Sequence, residues 1–305
     1  MDLEQQAQRI ATAVRDAGGR ALCVGGFVRD RLLNRASKHL EIEVFGVPQD
    51  QLLALLQSLG RVAPAGQAFP VYKLGDIDVA LPRRESKTGR GHKGFADEGD
   101  HTMSWDDAAR RRDFTINAIG WDPLTDEYLD PYHGRNDLLV RTLRVVDPKT
   151  FPEDSLRVLR ALQFAARFEL TIDPDTARIC SAIALDDLPA ERIWGEFEKL
   201  LLQAERPSIG FALARTLGVI HQLLPEMEAL YDCPQDPEWH PEGNVWIHTL
   251  MVIDKARELN RDLCGDRPRL ATIMLGAVTH DLGKPVTTAV IDGRIKSPNH
   301  EAMGV

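Results

Sequence analysis

Residues 21–45 read ALCVGGFVRDRLLNRASKHLEIEVF, and this stretch decides the fold of the N-terminal part of the chain. A short apolar run ends in Gly25 and Gly26, and the spacing of Val28 and Leu32 behind them predicts a short amphipathic helix. Glycines at such a turn let backbone amides approach a phosphate, although a plain tight turn is the alternative interpretation. Two charged residues begin the helix, where Arg29 could bind a phosphate and Asp30 could lock the turn.

The second half of the same stretch, residues 38–45, alternates between polar and apolar side chains. This period of two predicts a half-buried strand. The predicted inward face is apolar and consists of Leu40, Ile42 and Val44. The predicted outward face is polar and consists of His39, Glu41 and Glu43. Strand, glycine turn, helix and strand in this order predict an α/β opening.

A second acidic strand is predicted at residues 75–81, where Asp76 and Asp78 alternate with apolar residues. Carboxylates on adjacent strands repel one another unless they hold cations. Such a pair of strands is typical of a two-metal phosphoryl-transfer site, in which Mg²⁺ ions bridge the reacting oxygens. A solvent-exposed acidic sheet edge is the alternative.

The rest of the chain is predicted to be mainly helical. Residues 87–100 are rich in Gly, Lys, Asp and His and predict a long mobile loop. After Pro152 apolar residues recur at helical spacing, and no strand signal returns. We therefore predict an α+β protein in three parts: a small mixed-sheet head (1–150), a helical region (151–230) and a partial helical domain (231–305).

Composition narrows the class of protein. The chain has 305 residues, no apolar run of about eighteen residues and an N-terminus that predicts an amphipathic helix instead of a signal peptide. These features predict a soluble, cytoplasmic protein without a membrane partner. The four cysteines lack metal-ligand or disulfide spacing and are expected to be reduced and mostly buried.

The net charge is −9, so nucleic-acid binding would depend on local basic clusters. One cluster lies within residues 83–93 and contains Arg83, Arg84, Lys87, Arg90, His92 and Lys93. A second is the triple Arg110, Arg111 and Arg112. Taken alone, either cluster is also consistent with a solvated surface.

Several motifs resemble, in order, those of bacterial class II tRNA nucleotidyltransferases and their poly(A) polymerase relatives. They are GGFVRD, the acidic strand, DVALPRRESKTGRGHKGF, RRDFTINA, DPYHGRNDLLVRTLR, EDSLRVLRALQFAARF and ERIWGEFEKLL. The resemblance covers about residues 22–202. It implies transfer of CMP or AMP from CTP or ATP to an RNA 3′ end, with tRNA as the expected substrate and Mg²⁺ or Mn²⁺ as the cofactor.

The resemblance also implies roles for individual residues. The triphosphate would be held by Gly25, Gly26, Arg29 and Asp30. Phosphate and sugar contacts would come from Arg112, Asp113 and Asn117. The base would be selected by Asp154, Arg157 and Arg160, with Glu153 orienting Arg157. Fixed hydrogen-bond donors and acceptors distinguish C from A, so no nucleic-acid template is needed.

The chain departs from the family at the first acidic strand, where the family pattern is Asp-x-Asp and His39 and Glu41 stand here. Imidazole is a ligand that Mg²⁺ seldom accepts, and the longer Glu side chain displaces its carboxylate. Three interpretations stay open: an impaired site, a shifted catalytic set of Glu41, Glu43 and Asp78, or another metal. A metal in the head would be bound by His39, Glu41 and Asp78. Another departure is Gln163, where relatives often have Arg.

The C-terminal segment contains HPEGNVWIHTLMVIDKA, AVTHDLGKP and SPNHEAMGV, and resembles an HD phosphohydrolase domain. The predicted ligands of a second divalent metal are His248, His280 and Asp281, with His240 and His300 as neighbours. The family's last aspartate lies on a later helix that this sequence does not contain, so the sequence is expected to be a fragment or its HD domain to be chiefly structural. Two alternatives to nucleotidyl transfer stay open: a catalytically weak RNA-binding homologue and an HD-type hydrolase of phosphate esters.

Overall fold

A computed structural model describes residues 2–65, 71–87 and 95–304 of the chain. The chain divides into two compact units, Met1–Asp154 and Ser155–Val305. The predicted boundary at residue 150 lies close to this division, whereas the predicted boundary near residue 231 stays a prediction. Among the described residues, no helix has both the length and the apolar character needed to cross a bilayer.

The first unit is built on a mixed seven-stranded sheet in the order β3-β4-β5-β2-β1-β8-β9. Its strands are β1 (Arg20–Val24), β2 (Leu40–Phe45), β3 (Ala63–Ala65), β4 (Val71–Leu74), β5 (Ile77–Ala80), β8 (Gly120–Asp122) and β9 (Glu127–Leu129), with β10 (Thr142–Leu143) outside this sheet. The pairing of β2 with β5 is parallel, and the other pairings in the sheet are antiparallel. The predicted α+β class is confirmed.

Five helices accompany this sheet: α1 (Leu3–Asp16), α2 (Gly26–Leu32), α3 (Gln49–Leu59), α4 (Trp105–Arg110) and α5 (Gly134–Leu139). Short 3-10 turns cover Thr115–Asn117 and Phe151–Glu153. The predicted alternation in β2 is confirmed, because Leu40, Ile42 and Val44 are buried while Glu41 is exposed. The strand buries one face since every second side chain points into the core.

The prediction of one long loop at residues 87–100 is wrong, because both ends of this segment belong to strands. Strands β6 (Arg83–Lys87) and β7 (Phe95–Gly99) pair as an antiparallel hairpin, with Arg83 opposite Gly99 and Lys87 opposite Phe95. The physical reason is that backbone pairing between two short segments does not require large apolar side chains. Residues 88–94 lie outside the described residues.

The second unit is mainly helical: α6 (Leu156–Phe168), α7 (Pro174–Ser181), α8 (Ala190–Gln203), α9 (Ser208–Thr216), α10 (Val219–Leu223), α11 (Val245–Leu259), α12 (Arg267–Thr279), α13 (Lys284–Thr287) and α14 (His300–Met303). Short 3-10 turns cover Pro225–Leu230 and Arg261–Gly265. Helix α6 is the centre of this unit and packs against α8 and α9. Ten of its residues are buried, which explains its strong apolar periodicity.

The prediction that no strand follows residue 152 is wrong. Besides β11 (Thr171–Ile172), strands β12 (Ala289–Ile291) and β13 (Arg294–Lys296) form a hairpin. Its two connecting residues, Asp292 and Gly293, both have positive φ angles. Asp-Gly is the preferred sequence for a two-residue hairpin turn of this kind, so the sequence contained the signal.

The four cysteines are free, and Cys23, Cys180 and Cys233 are buried while Cys264 is exposed. The expectation of reduced, mostly buried thiols is confirmed. Burial raises the pKa of the Cys180 thiol to about 12 and also raises that of Cys23.

Candidate active site and a histidine cluster

The acidic residues of the first unit meet where β2 and β5 run side by side. The parallel register places Glu41 directly opposite Asp78. Glu43 lies two residues further along β2, so its side chain leaves the strand on the same face as Glu41. The predicted catalytic set of Glu41, Glu43 and Asp78 thus shares one face of two neighbouring strands.

Basic side chains of the same unit contact two of these carboxylates. His39 Nε2 lies 3.1 Å from Asp78 Oδ2, and Lys73 Nζ lies 3.0 Å from Asp78 Oδ1. Arg112 Nη2 donates to Glu43 Oε1 at 2.8 Å, in a pair whose side chains are both 16% exposed. Repulsion among the carboxylates is therefore reduced by the chain's own cations.

Gly25 brings the glycine turn against the acidic strand. Its φ of +68° lies in a region that other residues rarely adopt. A Cβ atom at this position would lie 3.0 Å from Glu41 Oε2 and 3.2 Å from Arg112 Nη1. The turn, the strand and the RRDFTINA segment therefore meet at Gly25, where an added Cβ atom would press on both side chains.

Arg29 is buried, with 4% of its surface exposed. Its guanidinium donates to Asp30 Oδ1 from Nε and Nη2, and Nη1 donates to Asn117 Oδ1 at 2.7 Å. Asn117 Nδ2 in turn donates to Asp113 Oδ1 at 3.0 Å. The structure thus joins four predicted nucleotide-binding residues in one network, which holds α2 against the RRDFTINA segment. Direct phosphate contact by Arg29 stays a prediction.

The DPYHGRNDL segment contains positioning residues to which sequence reasoning gave no role. A Cβ atom on Gly134 would lie 2.0 Å from the carbonyl oxygen of Thr115. The buried Asp137 accepts from Thr115 Oγ1 at 2.7 Å and pairs with Arg144 at 3.2 Å. These contacts fix the Thr115–Asn117 turn and thereby Asn117. The sequence feature that could have pointed to these roles was the presence of Gly134 and Asp137 in the DPYHGRNDL motif.

The head offers oxygen donors of the kind that Mg²⁺ prefers. Glu43 Oε2 is buried and has no hydrogen-bond partner among the described residues, so it is suited to bind a cation. Neither the predicted trio of His39, Glu41 and Asp78 nor the set of Glu41, Glu43 and Asp78 is compact: within the described ranges, three ligand atoms that lie within 4.8 Å of one another occur in the second unit and not in the first. One cause is that His39 Nε2 is already directed at Asp78.

The predicted base-selecting residues belong to both units. Asp154 ends the first unit, and Arg157 and Arg160 lie on α6 of the second. The Arg160 guanidinium stacks 5.0 Å from the ring centre of Phe164. Gln163 is buried and accepts from Arg167 Nη1 at 2.9 Å, so it has an internal partner.

The structure describes the predicted RNA-binding segment only in part. Arg83 is exposed at the start of β6. Arg84 and Lys87 belong to β6 by their backbone, while Arg90 and Lys93 lie outside the described residues.

A cluster in the second unit brings together the three residues predicted to bind a second metal. One ligand atom each of His248, His280 and Asp281 lies within 4.8 Å of the others. His248 comes from α11, while His280 and Asp281 follow α12 directly. His240, Glu242 and His248 form an adjoining group of the same size.

Hydrogen bonds fix the tautomer of His248. Glu242 Oε1 lies 2.7 Å from His248 Nδ1 and 3.0 Å from His240 Nδ1. The pKa of Glu242 falls to about 2, first because its own backbone N–H donates to it and then because His240 does. An ionised carboxylate only accepts, so His248 Nδ1 carries the proton. The lone pair of neutral His248 is therefore on Nε2, which faces Asp281 Oδ2 at 3.9 Å.

Asp281 is the buried centre of this cluster, with 2% of its side chain exposed. Its Oδ2 lies 3.2 Å from His280 Nε2 and 2.8 Å from Lys284 Nζ. Burial alone would raise the pKa of Asp281, but the bonds from His280 and Lys284 outweigh it and lower the pKa to about 2. The bond to Asp281 raises the pKa of His280.

Comparison with known proteins gives consistent matches. Residues 21–144 match the poly A polymerase head domain family, and residues 169–231 match the family described as the probable RNA and SrmB-binding site of polymerase A. The chain is 44% identical over 280 residues to the Multifunctional CCA protein of Stenotrophomonas maltophilia, covering 87% of this chain and 64% of the relative.

A second Multifunctional CCA protein, from Xanthomonas campestris, is 40% identical over 274 residues, covering 87% of this chain and 63% of the relative. The chain therefore spans just under two thirds of the length of these curated relatives. The crystal structure of the Bacillus stearothermophilus CCA-adding enzyme in complex with CTP has the same fold, with a TM-score of 0.62 and 22% identity over 92% of this chain and 79% of that one.

Proposed function

We propose a function from one premise: the chain belongs to the family of class II CCA-adding enzymes and poly(A) polymerases. The proposed reaction is transfer of CMP or AMP from CTP or ATP to the 3′ end of an RNA, with tRNA as the acceptor. The observation that carries this proposal is the register of Glu41 with Asp78, with the Gly25 turn packed on Glu41.

In this reaction the head positions the triphosphate. Gly25 and Gly26 leave the backbone accessible at the turn, so that its amides can bind phosphate oxygens. Arg112 lies beside Glu43 and next to the turn, where its positive charge would stabilise a phosphate. Arg29 and Asn117 act as positioning residues, because their hydrogen bonds connect α2 to the RRDFTINA turn.

Base selection is proposed for Asp154, Arg157 and Arg160. A carboxylate and a guanidinium held in place present a fixed pattern of acceptors and donors, which suits the Watson-Crick edges of C and A. A pattern that belongs to the protein requires no template strand. The exposed Arg83 and the residues that follow it are proposed to contact the RNA backbone.

The cofactor proposed for the head is Mg²⁺ or Mn²⁺, held by Glu41, Glu43 and Asp78. When bound, the ion would neutralise charge on the phosphates during in-line displacement. His39 and Lys73 would hold the Asp78 carboxylate in place, because they contact its Oδ2 and its Oδ1. Arg112 holds Glu43 Oε1 and leaves Oε2 directed at the site.

The experiment incubates the protein with tRNA lacking its 3′ CCA and each labelled nucleotide, in Mg²⁺ and separately in Mn²⁺. Incorporation of C or A supports the proposal. The matched variant is His39→Asp with Glu41→Asp, which restores two short carboxylates.

If the first strand limits catalysis, this double substitution raises transfer about tenfold or more. If the wild-type protein already transfers nucleotides rapidly and the double variant transfers them at the same rate or more slowly, Glu41, Glu43 and Asp78 form a competent catalytic set without the substitutions. Binding of tRNA and nucleotide without incorporation by either protein would favour the alternative of a catalytically weak RNA-binding homologue.

A second function is proposed for the second unit, because two predicted ligands, His248 and His280, converge on the third, the buried carboxylate of Asp281. Imidazole nitrogens with a carboxylate suit a divalent first-row metal, and such a site is typical of metal-dependent hydrolysis of phosphate esters.

The experiment that tests this second function measures hydrolysis of a 2′,3′-cyclic nucleotide in the presence of Mg²⁺, Mn²⁺, Co²⁺ or Ni²⁺. His280→Ala should abolish the hydrolysis and leave nucleotide incorporation unchanged. Equal hydrolysis by the variant would exclude this cluster.

A further inference from the structure

We propose that Asp187 is a positioning residue for base selection, because its carboxylate holds Ser155 at the start of α6, two residues before Arg157. The inference rests on the base-selecting role proposed above for Arg157 and adds a residue to which the sequence motifs gave no role. All three residues belong to the second unit. Asp187 lies in the connection between α7 and α8, 32 residues beyond Ser155 along the chain.

The bond between Ser155 and Asp187 is short and partly buried. Ser155 Oγ donates to Asp187 Oδ1 at 2.6 Å. Ser155 is 6% exposed, whereas Asp187 is exposed. A hydroxyl that donates to a carboxylate forms a stronger hydrogen bond than one between neutral groups, because the acceptor is charged. Loss of the carboxylate would leave the buried hydroxyl without this acceptor, so the turn that carries it would have to rearrange to regain a partner.

This bond takes the place of the usual cap of α6. A serine directly before a helix commonly accepts a hydrogen bond from a backbone N–H of the first turn. The side chain of Ser155 forms no such cap bond, and its hydroxyl is directed to Asp187 instead. The carbonyl oxygen of Ser155 accepts from the backbone N–H of Val158 at 3.1 Å. The start of α6, and with it the backbone of Arg157, is therefore tied to a neighbouring segment as well as to its own helix.

The segment that carries Asp187 is itself anchored. The backbone N–H of Leu185 donates to Gln222 Oε1 at 2.9 Å, and Gln222 Nε2 donates to the carbonyl oxygen of Ile183 at 3.4 Å. Leu185 and Ile183 are buried, and Gln222 belongs to α10. One glutamine amide thus holds the backbone just before Asp187 at two points. Such support is what a positioning residue requires, because a side chain on a loose segment cannot fix its partner.

Asp187 also brings a negative charge to the N-terminus of α6. This helix has 13 residues, and its first turn contains no acidic residue of its own. Unpaired N–H groups give a helix N-terminus a partial positive charge, which a carboxylate stabilises. Asp187 therefore supplies from another segment the charge that the first turn of α6 lacks.

Base selection requires that Arg157 present its guanidinium in one orientation. Hydrogen-bond donors whose positions vary no longer separate a correct base from an incorrect one, so the preference between nucleotides falls. A helix that only lost stability would lower the incorporation of every nucleotide by the same factor. The preference for CTP over UTP and for ATP over GTP therefore distinguishes a positioning role of Asp187 from a purely structural one.

The experiment measures kcat/KM of the full chain for CTP and UTP on tRNA lacking its 3′ CCA, and for ATP and GTP on tRNA ending in CC. Calorimetry measures the affinity for each nucleotide. We expect Asp187→Ala to lower both preferences by about tenfold, and Asp187→Asn, which retains an acceptor oxygen, to lower them less. The matched control is Asp186→Ala, which removes an exposed neighbour of the same charge and should leave both preferences unchanged.

A second variant removes the same bond from its other end. Ser155→Ala deletes the donor and leaves only the exposed Asp187 without it, so the chain should stay folded and lose the same preferences. The double variant should be no worse than either single variant, because both remove one interaction.

Three outcomes would overturn the inference. If Asp187→Ala and Ser155→Ala discriminate like wild type, the bond has no role in selection and the proposed function stands. An equal fall for all four nucleotides would show a structural role alone. If wild type neither binds nor discriminates among the nucleotides, the proposed base selection is wrong and the positioning role with it.

Discussion

At the scale of single residues, Gly25 has a backbone conformation that favours glycine and lies next to two residues of the proposed active site, Glu41 and Arg112. Its φ is +68°, and the Glu41 and Arg112 side chains occupy the space beside its Cα. Gly25→Ala should therefore introduce about 1–3 kcal/mol of backbone strain and displace both side chains by a few tenths of an ångström. We expect nucleotide incorporation to fall by about tenfold, less than the roughly hundredfold loss that a misplacement of about an ångström can cause.

The matched control for this prediction is Gly18→Ala. Gly18 also has a positive φ, +85°, but no atom lies within 4 Å of its would-be Cβ. Gly25→Ala should lose at least as much thermal stability as Gly18→Ala, and only Gly25→Ala should lose incorporation. Equal activity of the two variants would show that the contact with Glu41 and Arg112 has no catalytic role.

The second prediction for a single residue concerns Glu242, which accepts a hydrogen bond from Nδ1 of His248. A carboxylate in this position orients a metal-binding imidazole and increases its basicity. Glu242→Ala should weaken Co²⁺ binding about ten- to hundredfold, and Glu242→Gln, which retains an acceptor oxygen, should weaken it less. Calorimetry would measure both, with the exposed Glu238→Ala as control. Equal affinities of Glu242→Ala and wild type would contradict the role.

At the scale of elements, the N-terminus of α11 determines where His248 lies. Asn244 Oδ1 accepts from the backbone N–H of Ile247 at 3.0 Å, and Asn244 Nδ2 donates to the carbonyl oxygen of Tyr231 at 2.7 Å. Asn244→Ala loses the helix cap and the tie to Tyr231, and should cost about 1–2 kcal/mol of stability. Asn244→Asp keeps the cap and should recover at least half of this loss in a urea titration. An alanine variant as stable as wild type would show that neither bond matters.

At the scale of elements, some strands could be predicted from the sequence and others could not. The strand β2 was predictable because its alternation at residues 40–45 reports burial directly. The Asp292-Gly293 hairpin was equally readable, but it lies among helical segments and was missed. The hairpin of β6 and β7 was not readable, since its pairing depends on backbone hydrogen bonds between segments without an apolar pattern.

The sequence predicted which residues would lie together in the candidate site, but it did not predict their contacts. Motif order grouped Arg29, Asp113 and Asn117, but nothing in the sequence shows that Arg29 is buried against Asn117. The same holds for Lys73, whose bond to Asp78 crosses from β4 to β5. Such partners depend on strand register, which local sequence fixes only indirectly.

At the scale of the whole molecule, the folded chain contains one strongly shifted buried thiol in each unit, Cys23 and Cys180. A raised thiol pKa means that the folded state keeps a proton which the unfolded state loses above about pH 9. Stability from this source is complete below pH 9 and falls as the pH rises toward about 12. The expected slope is about 1.4 kcal/mol per pH unit for each thiol.

Cys180→Ala should therefore make the decline of unfolding free energy above pH 9 shallower by one proton, whatever its effect at neutral pH. The exposed Cys264→Ala is the matched control and should leave the slope unchanged. Urea titrations at several alkaline pH values would measure both slopes. An identical slope for Cys180→Ala and wild type would mean that this thiol does not contribute to alkaline unfolding.

The close approach of Gly134 to Thr115 limits the mutations that the gene can accept at codon 134. Every codon change that replaces this glycine introduces a Cβ atom 2.0 Å from a backbone carbonyl oxygen, so the smallest replacement meets the same obstacle as the largest. In a saturation library selected for nucleotide incorporation, codon 134 should retain glycine alone. Codons 195 and 276, whose glycines have open space around them, should accept alanine freely.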